Sequence, residues 1–343
     1  MSMERLVFLV IAMNTGGAET FLIKLYRKQE KTKYRMDFCV DHPKKRFYDD
    51  EIQPMGFYDL KVAKRSGAKK CIARSSNFSD GNRLKSKLAH RLGRILYEGN
   101  VDIKIVPSDL AAKFTFGKKE YKIGYVKILY NAIDLNYFRF SEKSRTDNRQ
   151  KLRIPEDAFV VGHIDRFSEQ KNRLFLFDIF ACVAKKRPDA YPILVGDGER
   201  KEQIREKEQN LALESRVIFT GVRSDISALL SAFDVFLFPS FYEEMPNTVI
   251  EAQATGLPRL ISDTITKEVD ISGLVQHMPL TASPEQWTEK AMKCVSQERE
   301  DVKESFLREK YDIESVVEEF VRRCFLMWRE LEKSRYRSFQ EMY

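Results

Sequence analysis

Two glutamates, Glu243 and Glu251, stand eight positions apart across a proline, with Asn247 and Thr248 between them. The run before them, Asp234-Val235-Phe236-Leu237-Phe238-Pro239, reads as a buried strand. Pro246 suits the first position of a helix, where its missing N–H would be unpaired anyway. Asn247 and Thr248 would then present free backbone N–H groups at a helix N-terminus, which favours an anion such as a phosphate. Glu251 lies about one turn into that helix, and Glu243 lies in the loop before it. The set matches the needs of a nucleotide-sugar: N–H donors for the diphosphate and carboxylate acceptors for ribose and sugar hydroxyls. A glutamate pair alone would read as solvated surface charge. The order strand, loop, Glu, Pro, helix, Glu, Gly256-Leu257-Pro258 argues for the site.

A second group of chemical residues follows another apolar run. In Asp165-Arg166-Phe167-Ser168-Glu169-Gln170-Lys171-Asn172, the cations Arg166 and Lys171 would flank a strand-to-helix turn. Open α/β sheets bind ligands above such strand ends. Two cations there would stabilise a departing diphosphate, whose charge grows as the glycosidic bond breaks. Leu194-Val195-Gly196-Asp197-Gly198 is a strand running into a glycine turn, which allows either close backbone approach or a positive φ. Gly16 and Gly17 lie between a first strand and a helix, where the backbone could approach a phosphate or an acceptor. The pattern is not Gly-x-Gly-x-x-Gly, which disfavours a dinucleotide site.

These residues need a frame of alternating strands and helices. Strand signals cover 6–12, 35–40, 68–73, 101–107 and 126–130, with helices at 18–31, 84–97 and 108–115. A polar stretch at 141–148 suits a linker. A second series follows, with strands at 159–164, 192–195, 217–220, 235–239 and 259–262 and helices at 171–186, 201–213 and 224–233. From residue 284 the chain reads as helical, with an apolar stripe of Val316, Phe320, Phe325 and Trp328. The expected fold class is α/β with two doubly wound domains: residues 1–145, residues 146–300, and closing helices at 301–343.

Composition narrows the function further. The chain has 343 residues, 43% hydrophobic, enough for two domain cores. No apolar run approaches the roughly 20 residues that span a bilayer, and the first strand is too short to read as a signal peptide. Five scattered cysteines and four histidines show no metal-ligand spacing, which points to a reduced cytoplasm and no metal. The net charge of +8 could serve nucleic acid, anionic lipid or phosphorylated substrate. No nucleic-acid motif or aromatic interleaving accompanies it, so nucleic acid is not expected.

Arg166-x4-Lys171, Gly196-Asp197-Gly198 and Glu243-x7-Glu251, in this order, resemble the retaining GT-B glycosyltransferases of family 4, in particular their capsule and exopolysaccharide branch. The resemblance implies a GT-B fold, two Rossmann-like domains facing a central cleft, with the last helix crossing back to the first domain. It implies a hexosyltransferase (EC 2.4) using a nucleotide-sugar, with UDP as the expected nucleotide, and a glycan or lipid-linked acceptor for surface polysaccharide. Arg166 and Lys171 would neutralise the diphosphate, Glu251 would bind ribose, and Glu243 would hold the sugar. Asn247 and Thr248 would give N–H groups, Val222 and Arg223 would meet the base edge, and Gly16 and Gly17 would face the donor. With no Asp-x-Asp motif, neither metal nor other cofactor is implied. Lipid-linked acceptors would place the protein in the cytoplasm, at the inner face of the anionic plasma membrane.

The chain departs from the pattern in three places. Glu244 stands where the signature has glycine. Gly56-Phe57-Tyr58 runs straight on where relatives carry roughly 30 residues or more, at least one βα unit, so the N-terminal domain is expected to be shortened. Arg74 and Ser76 stand where relatives show histidines. Two other functions stay open on this basis: a donor-binding partner subunit without turnover, and a UDP-sugar epimerase relying on His163.

Overall fold

The computed structural model describes residues 4–10, 17–28, 34–40, 54–55, 72–74, 101–122, 126–243, 245–295 and 299–323. The chain divides into two compact units, Met1–Ala132 with Lys310–Tyr343, and Ile133–Glu309.

In the first unit, β1 (Glu4–Val10), β2 (Tyr34–Val40) and β3 (Pro54–Met55) form one parallel sheet. A second parallel sheet holds β4 (Ile72–Arg74), β5 (Ile103–Val106) and β6 (Val126–Ile128). Helix Gly17–Lys28 turns Phe21, Leu22 and Leu25 into the core, as their spacing requires. Helix Asp109–Thr115 starts where Ser108 Oγ accepts the Ala111 N–H at 3.1 Å. The closing helix Ile313–Val321, capped by Asp312, puts Ile313, Val316 and Phe320 into the same core as Phe21, Leu25 and Ile105. Around it, Tyr130 stacks on Tyr311 with ring centres 4.3 Å apart, and Arg323 Nη1 donates to Ile128 O at 3.0 Å. The expected helix at 84–97 and the stripe residues Phe325 and Trp328 lie outside the described residues.

The second unit is a six-stranded, all-parallel sheet in the order β12-β11-β10-β7-β8-β9. Its strands are β7 (Phe159–Ile164), β8 (Ala190–Val195), β9 (Ile218–Gly221), β10 (Val235–Phe238), β11 (Arg259–Ser262) and β12 (Gln276–Met278). β7, β10 and β11 are buried along their whole length, the signature of strands covered on both faces. The chain runs outward through β7, β8 and β9, then returns to lay β10 against the other edge of β7. The carboxyl ends of β7 and β10 therefore flank the topological switch point, where open α/β sheets bind ligands. The loops leaving these two ends carry Lys171 and Glu243.

In the first unit β3 and the helix Lys118–Lys122 were not expected, and β4 starts at Ile72 where a strand over 68–73 was expected; in the second unit three elements differ from the expectation. The polar stretch at 141–148 is no linker: Glu142–Lys151 is a helix of the second unit. Its polarity hides two inward residues, Asn148 and Arg149. Arg149 is 1% exposed, binds both Asp234 oxygens at 2.9 and 3.0 Å, and donates to Ala232 O and Ala158 O. Asp234 Oδ2 also accepts the Val160 N–H at 2.7 Å, tying the starts of β7 and β10 together. β8 begins at Ala190, two residues before the expected start, and carries Pro192 inside it, where an apolar reading stops. β12 was absent from the expected strands, because Gln276-His277-Met278 has no apolar run; its pairing with β11 makes it a strand.

Candidate functional site

The site is built from the turns that leave the strand ends. After β7 the backbone folds back on its neighbour: Asp165 N donates to Val195 O at 3.1 Å and Phe167 N to Asp197 O at 2.9 Å. This approach depends on two glycines. Gly196 has φ +126, and a Cβ there would lie 2.0 Å from Asp165 O; a Cβ on Gly198 would lie 2.6 Å from Phe167 O. The glycine turn thus answers both readings offered by the sequence, close approach and positive φ. Arg173, only 2% exposed, donates its guanidinium to the carbonyls of Asp165 and Arg166 from below and lies 4.2 Å from the Phe167 ring centre. Burial lowers its pKa to about 10, Asp165 opposing that fall, so it stays a cation at neutral pH.

Lys171 closes a single 3-10 turn, Glu169–Lys171, which ends on Asn172 in the left-handed region (φ 48) before helix Arg173–Lys186 begins. Its Nζ lies 2.6 Å from Asp165 Oδ2 and 2.5 Å from Glu243 Oε1, over the Phe238 ring at 5.4 Å. Gln170 Nε2 donates to the same Glu243 oxygen at 2.9 Å and to Tyr242 O at 2.8 Å, and Gln170 O accepts the Phe241 N–H at 2.9 Å. The β7 and β10 loops are thereby stitched across the switch point. Burial acts to lower the Lys171 pKa, but the charges of Asp165 and Glu243 outweigh it and hold the ammonium above the ordinary lysine value. Burial pushes the Glu243 carboxyl above its usual range, against the pull of Lys171. Arg166 behaves differently from its expected partner: its side chain is 72% exposed and reaches Glu199 only at 3.9 Å.

Helix Asn247–Ala254 begins just past this cluster, with Pro246 as its cap (φ −68, ψ 115), one place before the position the sequence suggested. Asn247 and Thr248 form its first turn. Thr248 Oγ1 is buried and has no hydrogen-bond partner among the described residues. Glu251 lies inside the helix and is 8% exposed. Beyond β9, Gly221 has φ +69 with open space where a Cβ would go, and Val222 is 59% exposed. Arg223 pairs with Asp225 at 2.6 and 2.8 Å. Gly17 opens a helix of the first unit. Gly16, Ser76 and Glu244 lie outside the described residues. Arg74 ends β4, where it donates to Asn131 Oδ1 at 2.5 Å and covers the Phe21 ring at 3.8 Å.

His163 is fully enclosed, stacked near Phe236 and Phe238, with Nδ1 2.7 Å from Leu237 O. Burial and the nearby Arg173 keep it neutral. It is sealed within the sheet's core, where no sugar reaches it, so the epimerase reading loses its histidine. Arg173, Asp165 and Gln170 escaped the sequence reading. A lone arginine opening the apolar helix Arg173-Leu174-Phe175-Leu176-Phe177 was the available signal for the first. Among the described residues no group of three or more His, Cys, Asp or Glu is arranged around a metal, and no helix is long and apolar enough to cross a membrane.

Chemically, one end of the sheet joins a buried ammonium, an exposed guanidinium, a helix N-terminus and two carboxylates, which suits an anion attached to a polyol. The glycosyl transferases group 1 family matches residues 144–299. EpsF of Bacillus subtilis (strain 168), named as a glycosyltransferase, is 29% identical over 92% of this chain and 95% of its own. That alignment spans 364 positions while using 92% of 343 residues, about 316, so about 48 positions have no counterpart here. The Escherichia coli UDP-Gal:alpha-D-GlcNAc-diphosphoundecaprenol alpha-1,3-galactosyltransferase is 31% identical over 40% of this chain and 36% of its own. The crystal structure of Anabaena Alr3699/HepE with UDP-glucose superposes with a TM-score of 0.74, at 19% identity, over 93% of this chain and 99% of that one. The fold is GT-B, residues 144–299 form a glycosyl transferases group 1 domain, and by enzyme class the chain is a glycosyltransferase.

Proposed function

We propose that this enzyme transfers a sugar from a UDP-sugar to a glycan or lipid-linked acceptor of surface polysaccharide, with retention of the anomeric configuration. One observation carries the reading: Lys171 and Glu243 meet at the switch point of the sheet, with Glu243 four residues before the start of helix Asn247–Ala254. Lys171 and Arg166 take the diphosphate, and their charge is worth most as the leaving group forms. The N–H groups of Asn247 and Thr248 add donors to it. Glu251 accepts from the ribose hydroxyls and Glu243 from the sugar. The turns at Gly196 and at Val222 and Arg223 border the nucleotide. The leaving phosphate accepts the acceptor's proton on the face it departs from. With the diphosphate met by protein cations, the reading includes no metal or other cofactor. HepE with UDP-glucose and the galactosyltransferase with UDP-Gal support the nucleotide. The diphosphoundecaprenol acceptor of the latter supports a lipid-linked one, reached by peripheral contact of this basic chain with the cytoplasmic face of an anionic membrane.

The test is UDP release from UDP-glucose, UDP-galactose and their N-acetyl forms, with wild type and Glu243→Gln. Slow hydrolysis of one donor by wild type, reduced about 100-fold or more in the variant, is the expected result. Equal release by both proteins would remove Glu243 from the sugar site.

A further inference from the structure

The ammonium that the proposed reaction assigns to the diphosphate is already shared between two carboxylates. Glu243 has a task in that reaction and Asp165 has none, yet Asp165 is fixed in place more firmly. Its Oδ2 lies 2.6 Å from Lys171 Nζ, and its Oδ1 accepts the Arg166 N–H at 2.7 Å. Its own N–H is bound to Val195 O, its carbonyl accepts from Arg173, and Gly196 presses against that carbonyl. The backbone is held from three sides, so the carboxylate cannot leave by a loop movement. Its side chain is 17% exposed, which leaves little water to screen it. A diphosphate arriving at Lys171 meets this negative charge and competes with it for the same ammonium.

We propose that Asp165 sets donor affinity: it is a built-in competitor of the diphosphate for Lys171, holding nucleotide binding weak and easing release of the nucleoside diphosphate product. This rests on the assignment of Lys171 to the diphosphate. A competitor of charge acts on ligands in proportion to their phosphate charge. It leaves the nucleoside portion untouched, which a residue that merely shapes the loop would not do.

Calorimetric titration of Asp165→Asn with UDP, pyrophosphate and uridine decides the matter. Asparagine keeps the size and an oxygen for the Arg166 N–H while removing the charge. UDP and pyrophosphate should bind about tenfold tighter or more, uridine should bind as in wild type, and KM for the donor should fall without a rise in kcat. Asp165→Ser, which also lacks the charge, should show the same gain if the asparagine variant fails to fold. Unchanged or weaker UDP binding overturns the proposal, as does a change in uridine affinity by the same factor as UDP. Lys171→Ala, titrated alongside, separates the two assignments. If it binds UDP as wild type does, Lys171 is not the diphosphate cation and both fall. If it loses UDP while Asp165→Asn gains none, the proposal for Asp165 alone falls.

Discussion

A lysine enclosed with two carboxylates ties the proposed function to stability in one residue. Removing Lys171 leaves Asp165 and Glu243 facing each other, with side chains 17% and 11% exposed and no cation between them. Breaking such a pair costs about 3 kcal/mol, so Lys171→Ala should lower the unfolding free energy by about that much. The pH dependence follows from the raised Lys171 pKa. A cation whose folded pKa exceeds the unfolded one contributes fully below the unfolded value and loses its contribution as pH rises through the folded one. The gap between wild type and Lys171→Ala in denaturant unfolding should therefore be constant from neutral pH to about pH 10 and shrink above the ordinary value of 10.5. A gap that shrinks at neutral pH would mean that Lys171 is not held charged by its partners. The sequence singled out Lys171 and Glu243, which the structure brings together, because the pattern around each is local. It did not show Asp165 or Arg173, whose parts are set by backbone carbonyls brought together only when β7 and β8 pair.

At the scale of elements, the order of strands turns separate motifs into one site. Two loops at the carboxyl ends of β7 and β10 meet once β10 returns beside β7. The apolar runs 159–164 and 259–262 were legible to the residue, because buried parallel strands lack polar interruptions. The helix Glu142–Lys151 was not, since composition cannot tell a solvated arginine from one paired with Asp234. The turns supply their own test. Gly196→Ala would put a methyl on Asp165 O and should cost about 3 kcal/mol, together with UDP affinity. Gly221→Ala meets open space and carries only the penalty of its positive φ, about 1 kcal/mol. Denaturant midpoints for the two variants check the ranking, and equal losses would show that the close approach of the β7 and β8 turns is not what Gly196 serves.

For the whole molecule, the groups proposed for the diphosphate lie in one unit, and two of the three departures from the family pattern, at Gly56 and at Arg74 and Ser76, fall in the other. About 48 positions of the EpsF alignment are missing from this chain, and the sequence places its own departure near Gly56 in the first unit. On the proposed reading donor binding and transfer are separable properties, since the groups proposed for the diphosphate lie in the second unit. The most direct test of that assignment is calorimetric titration of the full chain with UDP, in wild type and Lys171→Ala. The account predicts one site in wild type and at least about a tenfold loss, 1.4 kcal/mol or more, in the variant. No heat of binding in wild type, or equal affinity in both proteins, would contradict it.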